Sequence, residues 1–260
     1  MIINLSREGV FPVSVGLRGE MLTTKTGLAL SGTIQGEGKL SGVPSLFVRL
    51  QGCNLSCSWV LDGRKVPCDT QHTWQQKAVC PMETSDVERL IMLNIGQMKH
   101  VVITGGEPFM QWQAVLDLTN RLHKHGLHVT IESNGSIFQP LLSECVDLLS
   151  LSPKLSSSGI SDNFRRHTIK SVTAMTSAAI DAGRDFQLKF VVSSSADILE
   201  IERDYSSLVV QPSDILLMPL GISAQQLQAT SDVALSLAIQ HGWRYCPRLH
   251  IALFGNTEQT

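Results

Sequence analysis

The sequence predicts an α/β protein, an open or partial (β/α) barrel in a single domain. Three observations predict it. Apolar β-type runs alternate with helical patterns along the chain, as βα units and a parallel sheet require. The runs are short and near-continuously apolar, which suits strands covered on both faces. A chain of 260 residues with 43 % apolar content can bury one large core.

The expected strands, in order, are Ser45–Leu50, His100–Thr104, Leu127–Glu132, Val146–Leu151, Phe186–Val192, Ile215–Met218 and Trp243–Tyr245. Between them lie helices with readable ends. Ser85 with Glu88 three residues on is a capping-box pattern, followed by Leu90, Ile91 and Ile95. Phe109 to His125 reads as a helix stopped by Gly126, and His167 to Ala182 as one stopped by Gly183. Ser223 with Gln226 opens a further helix running to His241 and stopped by Gly242. Residues 1–28 and the stretch Val60–Pro67 are the least regular, so the domain is placed at residues 29–260 behind an N-terminal extension. In such folds chemistry sits at the C-terminal ends of the strands.

Composition narrows the partners. Charged residues are 17 % with net charge −2, and no basic run would attract a nucleic acid. No apolar stretch approaches the roughly 18–20 residues of a membrane-spanning helix. Met1 to Leu17 lacks the continuous apolar region of a signal peptide. Six cysteines in a chain this long do not form a secreted disulfide framework. The expectation is a cytoplasmic protein whose thiols are free to bind metal.

Cys53, Cys57 and Cys68 follow the first expected strand with the spacing Cys-x3-Cys-x10-Cys. Three thiolates can hold an iron–sulfur cube and leave one iron open to a small molecule, which suits radical chemistry; a fourth would close the site. On spacing alone a zinc site or unrelated core thiols stay open. Cys80 is the rival third ligand, while Cys145 and Cys246 read as ordinary small residues. Thr104-Gly105-Gly106-Glu107-Pro108 follows the next strand, where two glycines let backbone approach a ligand. Gln35 and Glu37 alternate with glycines in Thr33–Gly38; a Gln can read the edge of a heterocycle, and a polar turn is the alternative. Arg49 is either a carboxylate clamp or a solvent-facing strand residue. Ser152-Pro153-Lys154 is either a simple loop or a source of polar groups for a nucleoside.

Taken together these residues resemble the 7-carboxy-7-deazaguanine synthase family of radical S-adenosylmethionine enzymes. The resemblance runs from about Gly32 to the C-terminus. It rests on Thr33–Gly38, Phe47-Val48-Arg49, Gly52-Cys53, Cys57-Ser58-Trp59, Cys68-Asp69-Thr70, Thr104–Pro108, Glu132-Ser133-Asn134-Gly135, Ser152-Pro153-Lys154, Pro247–His250 and Gly255-Asn256. Three departures stand out. The family usually reads Cys-x3-Cys-x2-Cys, and here the eight residues Val60 to Pro67 intervene as an inserted loop with an Asp62-Gly63 turn signal. The N-terminal extension is the second. The third is Met218, where family members often carry Gln.

The resemblance implies a lyase of 7-deazapurine (queuosine) biosynthesis. Cys53, Cys57 and Cys68 would hold a 4Fe–4S cluster. S-adenosylmethionine would chelate its open iron, with Gly105, Gly106, Glu107, Ser133, Ser152, Pro153, Lys154, Met218 and Pro219 around it. One-electron cleavage of the sulfonium would start hydrogen abstraction from C6 of 6-carboxy-5,6,7,8-tetrahydropterin, followed by ring contraction and loss of ammonia. Ile34, Gln35, Gly36, Glu37 and Thr104 would line the pterin, with Arg49 on its carboxylate. Mg2+ is implied at Thr70. A homodimer is implied. The inserted loop carries Arg64 and Lys65, which would help dock an acidic electron donor such as a flavodoxin; a solvated loop is the alternative. The rival readings are a radical enzyme acting on another heterocycle, or a non-catalytic relative that binds zinc or a partner.

Overall fold

The computed structural model describes residues 1–75, 79–205, 208, 210–255 and 257–260; Asn256 of the Gly255-Asn256 motif lies outside them. Its strands are β1 (Ile2–Phe11), β2 (Thr33–Ile34), β3 (Pro44–Leu50), β4 (Ser58–Leu61), β5 (Arg64–Pro67), β6 (Cys80–Glu83), β7 (His100–Gly105), β8 (His128–Ser133), β9 (Leu148–Leu151), β10 (Asp185–Val192), β11 (Ile215–Pro219) and β12 (Arg244–Tyr245). Its helices are α1 (His72–Gln75), α2 (Thr84–Asn94), α3 (Trp112–Lys124), α4 (Pro140–Cys145), α5 (Asp162–Asp181), α6 (Ser195–Tyr205), α7 (Ala224–His241) and α8 (Leu249–Phe254).

The main sheet runs β12-β11-β10-β9-β8-β7-β3-β1-β6, with β2 paired to β3. Every pairing from β3 to β12 is parallel, whereas β1 lies antiparallel between β3 and β6. This is the partial barrel expected, and all seven strands read from the sequence are present.

The two faces of the sheet differ, which corrects the expectation of apolar cover on both. One face carries Leu46, Val48, Leu50, Val101, Ile103, Val129, Ile131, Leu149, Leu188, Phe190 and Leu217, packed with Val115 and Leu118 of α3 and Val172 and Met175 of α5 in the main core. The alternate positions are largely polar: Ser45, Arg49, His100, Thr104, Thr130, Glu132, Ser150, Gln187 and Lys189. Side chains in a strand alternate faces, so one pattern builds a helix-covered core and a lined cavity at once. Low in the cavity face, Ser45 Oγ and Thr130 Oγ1 flank the His100 ring at 2.7 and 2.8 Å, satisfying buried polar atoms.

The stretch 1–28 is irregular only after Phe11. β1 is a core strand, with Ile3, Leu5, Val10 and Phe11 buried. Its alternation is broken by a bulge between Leu5 and Val10, which hides the pattern from a period-two reading. The inserted loop is also ordered: β4 and β5 form a two-stranded hairpin whose turn places Asp62 and Gly63 at φ 50° and 72°. Positive φ at both central residues marks the type I′ hairpin turn for which Asp-Gly is suited.

The helix ends follow the sequence in most places. Gly126, Gly183 and Gly242 take φ 68°, 65° and 67° after their helices. Ser223 Oγ accepts from Gln226 N and caps α7. Two readings are corrected. α2 begins at Thr84, so Ser85 is inside it and forms no capping box; Glu88 instead pairs with Arg121 and His125 across to α3. α5 begins at Asp162 rather than His167, because Ser161 Oγ accepts from Phe164 N and caps it earlier.

Candidate functional site

The site is a cavity at the C-terminal ends of β3, β7, β8, β9, β10 and β11. Each strand contributes its last inward residue or the loop after it: Arg49 from β3, Thr104 to Gly106 from β7, Glu132 to Asn134 from β8, Ser152 and Lys154 after β9, Lys189 from β10, Met218 and Pro219 from β11. Cys53, Cys57 and Cys68 line the same cavity.

The hairpin explains how cysteines so far apart in sequence come together. Cys57 precedes β4 and Cys68 follows β5, and the Cys68 N–H donates to the Cys57 carbonyl at 3.3 Å. The intervening residues fold out and back between the two cysteines. Trp59 and Val66 of the hairpin turn inward and pack with Leu55, Cys57 and Leu220. Burial pushes the Cys57 thiol up to about 11, and Cys53 and Cys68 are raised by burial in the same way. Such thiols are protonated at neutral pH and lose their protons on binding metal. Thr70 Oγ1 lies 3.3 Å from Cys68 Sγ, and Asn134 Nδ2 lies 3.9 Å from Cys53 Sγ. Three soft sulfur donors in an apolar shell, with polar groups beside the sulfurs, fit an iron–sulfur cluster. Cys80 is exposed on β6 and stands outside this wall.

Another part of the lining is charged. Glu37 pairs with Lys189 and with Arg248, and Arg248 continues to Asp69. Lys189 Nζ also lies 3.6 Å from Glu132, whose carboxylate accepts from Thr104 Oγ1 at 2.9 Å and from Gln35 Nε2 at 3.3 Å. Burial pushes the Glu37 carboxyl up, but the Lys189 and Arg248 charges outweigh it and hold it well below the usual carboxylate range. Burial alone would lower Lys189; the Glu132 and Glu37 charges instead raise it above its ordinary value. Burial keeps His250 below its ordinary range and favours the neutral ring. Lys154 Nζ lies 3.1 Å from Ser152 Oγ and 6.0 Å from the centre of the Trp59 ring.

Most residues singled out from the sequence line the cavity: Ile34, Gln35, Gly36, Glu37, Arg49, Thr70, Thr104, Gly105, Gly106, Ser133, Ser152, Lys154, Met218 and Pro219. Glu107 and Pro153 are not part of its lining. Glu107 is fully buried, and its carboxylate accepts from Phe109 N, Ser133 Oγ and Asn134 N at 3.0, 2.8 and 2.7 Å. It fastens the β7 loop to the β8 loop. The glycines before it serve close packing of backbone on backbone. Gly106 N donates to the Leu50 carbonyl and Glu107 N to the Gly52 carbonyl, and a Cβ at Gly106 would be driven into Gly52. The Gly106 and Glu107 amides are thus taken up by backbone, while Gly105 and Gly106 still line the cavity.

Sequence reasoning assigned no role to Lys189, Glu132, Asp69 and Arg248. Lys189 had a signal: Gln187 and Lys189 alternate with Leu188 and Phe190, the period of a strand with one wet face.

A family model described as a 4Fe-4S single cluster domain matches residues 34–166. The chain is 37 % identical over 243 residues to a 7-carboxy-7-deazaguanine synthase of Halobacterium salinarum, covering 88 % of this chain and 90 % of the relative. It is 35 % identical over 253 residues to a protein of the same name from Rhodopirellula baltica, covering 93 % and 92 %. Its fold is similar to the crystal structure of QueE from Escherichia coli, with TM-score 0.64 at 23 % identity over 96 % and 95 % of the two chains.

Proposed function

We infer the function of this chain from one premise: it belongs to the 7-carboxy-7-deazaguanine synthase family. It is a radical S-adenosylmethionine enzyme that makes 7-carboxy-7-deazaguanine from 6-carboxy-5,6,7,8-tetrahydropterin with loss of ammonia, a lyase of 7-deazapurine biosynthesis. The observation that carries this reading is the meeting of three thiols with Arg49 and a wall of ion pairs in one cavity at the strand ends.

Cys53, Cys57 and Cys68 would hold the 4Fe–4S cluster. When bound, the cluster and S-adenosylmethionine supply one-electron cleavage of the sulfonium and so the power to abstract hydrogen. Gly105, Gly106, Ser133, Ser152, Lys154, Met218 and Pro219 shape the S-adenosylmethionine side. Met218 offers a thioether where an amide would hydrogen-bond, so contact there is by packing. Arg49 presents a planar fork to the substrate carboxylate. Gln35 and Glu37 read the heterocycle edge, with Ile34, Gly36 and Thr104 beside them. Lys189 and Arg248 keep Glu37 ionised and fixed before substrate arrives, so no reorganisation is needed. Trp59, Val66 and Leu220 keep water from the thiol wall. The Thr70 hydroxyl, which lines the cavity, would offer oxygen to Mg2+. Among the described residues no helix is long and apolar enough to cross a membrane. We place the enzyme in the cytoplasm as a homodimer fed by an electron donor such as flavodoxin.

The test is anaerobic turnover after cluster reconstitution, with S-adenosylmethionine, Mg2+, dithionite and 6-carboxytetrahydropterin, read by mass spectrometry. Formation of 7-carboxy-7-deazaguanine is expected. Methionine and 5′-deoxyadenosine without it would mean another heterocyclic substrate. Colourless protein that takes zinc in place of iron would remove the radical reading.

A further inference from the structure

Arg49 does not stand alone at the cavity. Its Nε side is paired with Glu8, whose side chain is 1 % exposed. The Phe11 ring lies under the guanidinium, 5.1 Å from its central carbon, and is stacked on Phe47 at 5.5 Å. His72 Nε2 holds the same Glu8 oxygen from the other side at 3.0 Å. Glu8 and Phe11 both belong to β1, the strand for which the sequence offered no role.

Their placement comes from the break in β1. Leu5 pairs with Leu50 and Val10 with Val48, so the segment between them carries extra residues against its partner. Gly9 takes φ 61°, a left-handed conformation that favours glycine, and Glu8 N donates to Ser6 Oγ at 3.2 Å. A bulge of this kind re-aims a side chain beside a site. Here it turns a carboxylate inward, onto the arginine that lines the cavity. The Glu8 charge beside Nε and the Phe11 ring under the plane hold the guanidinium from behind and leave its two terminal nitrogens for a second planar acceptor. No other described residue bonds those nitrogens, so the free edge of the fork belongs to the cavity.

We propose that β1 is a positioning device for substrate recognition: Glu8, supported by His72 and Phe11, sets the orientation of Arg49 and thereby the preference of the site for a carboxylated heterocycle. This rests on the reading of Arg49 as the carboxylate clamp. Glu8 touches no substrate; it acts through Arg49. Burial pushes its carboxyl up, but the His72 hydrogen bond and the Arg49 charge outweigh that and hold it below its ordinary range, so it is ionised where the enzyme works.

The experiment measures affinity by anaerobic calorimetry on cluster-loaded enzyme with S-adenosylmethionine bound. The probes are 7-carboxy-7-deazaguanine and 7-deazaguanine, which differ only in the carboxylate. The wild type should prefer the carboxylated probe. In Glu8→Gln that preference should drop by about tenfold, the loss of one well-aimed charge-assisted contact, with affinity for 7-deazaguanine unchanged. Glu8→Asp should recover part of it, which a merely structural role would not predict. Phe11→Leu, which keeps apolar volume and removes the plate, should lower the same ratio less, and carries the test if Glu8→Gln fails to fold. An unchanged preference in the variants would overturn the proposal. A stronger preference would also overturn it, because Glu8 would then only neutralise Arg49. A wild type that binds both probes equally would overturn the clamp reading of Arg49 itself.

Discussion

The two walls of the cavity are built on opposite principles. The wall of Cys53, Cys57 and Cys68 is apolar, and burial there keeps its thiols protonated. The wall of Glu37, Lys189, Glu132, Arg248 and Asp69 is dense with charge, and despite burial, pairing there holds Glu37 and Asp69 below their ordinary range and Lys189 and Arg248 above theirs. A soft, apolar side suits sulfur-ligated iron; a hard, charged side suits a polar heterocycle. The difference also concerns tolerance. The thiol wall accepts a ten-residue hairpin between Cys57 and Cys68, because only its ends need to meet. The charged wall draws single residues from β10, the loop after β2 and the start of α8, so no member can move alone.

The largest effect that tests this contrast is loss of a thiol. Cys53→Ala, Cys57→Ala or Cys68→Ala should each strip iron from reconstituted protein and drop turnover to background, read by iron content and visible absorbance. Folding should change little, since a small apolar side chain fits an apolar wall. Cys80→Ala should leave both iron and turnover at wild-type levels; loss of iron there would move the third ligand.

On the charged wall a single change should instead be felt as stability. Lys189→Met would leave Glu37 and Glu132 buried with less compensation, and removing one partner of a buried pair costs about 3–5 kcal/mol. Denaturant unfolding should show it, and adding Glu132→Gln should restore part of the loss, because the two sites share one interaction. A cost below about 1 kcal/mol would mean that water already screens this wall.

How far the sequence reached differs between the same two regions. The thiol wall was legible because its cysteines sit in one short segment, and the Asp-Gly signal marked the turn that brings Cys68 back to Cys57. The charged wall was legible only in pieces. Glu37 was singled out, but its partners lie at positions 189 and 248, and no local pattern ties them together. The parallel strands were legible from their apolar runs. β1 was not, because its bulge breaks the alternation, and β6 carries Cys80-Pro81-Met82-Glu83, which is poor strand chemistry. Glu107 shows the reverse case: no local pattern announces that this motif residue ties the β7 loop to the β8 loop.

Below both walls, His100 offers a smaller and pH-resolved effect. Burial holds it down to about 4, from an ordinary value near 6.5. Between those values the unfolded chain binds a proton that the folded protein does not, so stability falls as pH drops from 6.5 toward 4. The slope contributed by one such group approaches about 1.4 kcal/mol per pH unit. His128 and His250 are lowered as well and add to the same window. His100→Gln keeps hydrogen-bonding groups between Ser45 and Thr130 and should flatten the curve of unfolding free energy against pH. The charged wall acts at lower pH, since Glu37 and Asp69 lie below their ordinary values and their stabilisation is lost only as they protonate.

The smallest expected effect bears on the claim that the hairpin is tolerated because its ends converge. Gly63 stands at φ 72° with open space around its Cβ direction, so Gly63→Ala meets no clash and strains only the backbone. A left-handed residue that is not glycine costs on the order of 1–2 kcal/mol, and here that strain falls on a two-stranded excursion rather than on the sheet. The hairpin should therefore fray at its tip, with faster amide exchange at Leu61 and Arg64. Iron loading and turnover should stay at wild-type levels, because the bond between Cys68 N and the Cys57 carbonyl lies at the far end of the ladder. If Gly63→Ala lowered iron content as well, the turn itself would be holding the thiols in register, and the hairpin would belong to the site rather than hang from it.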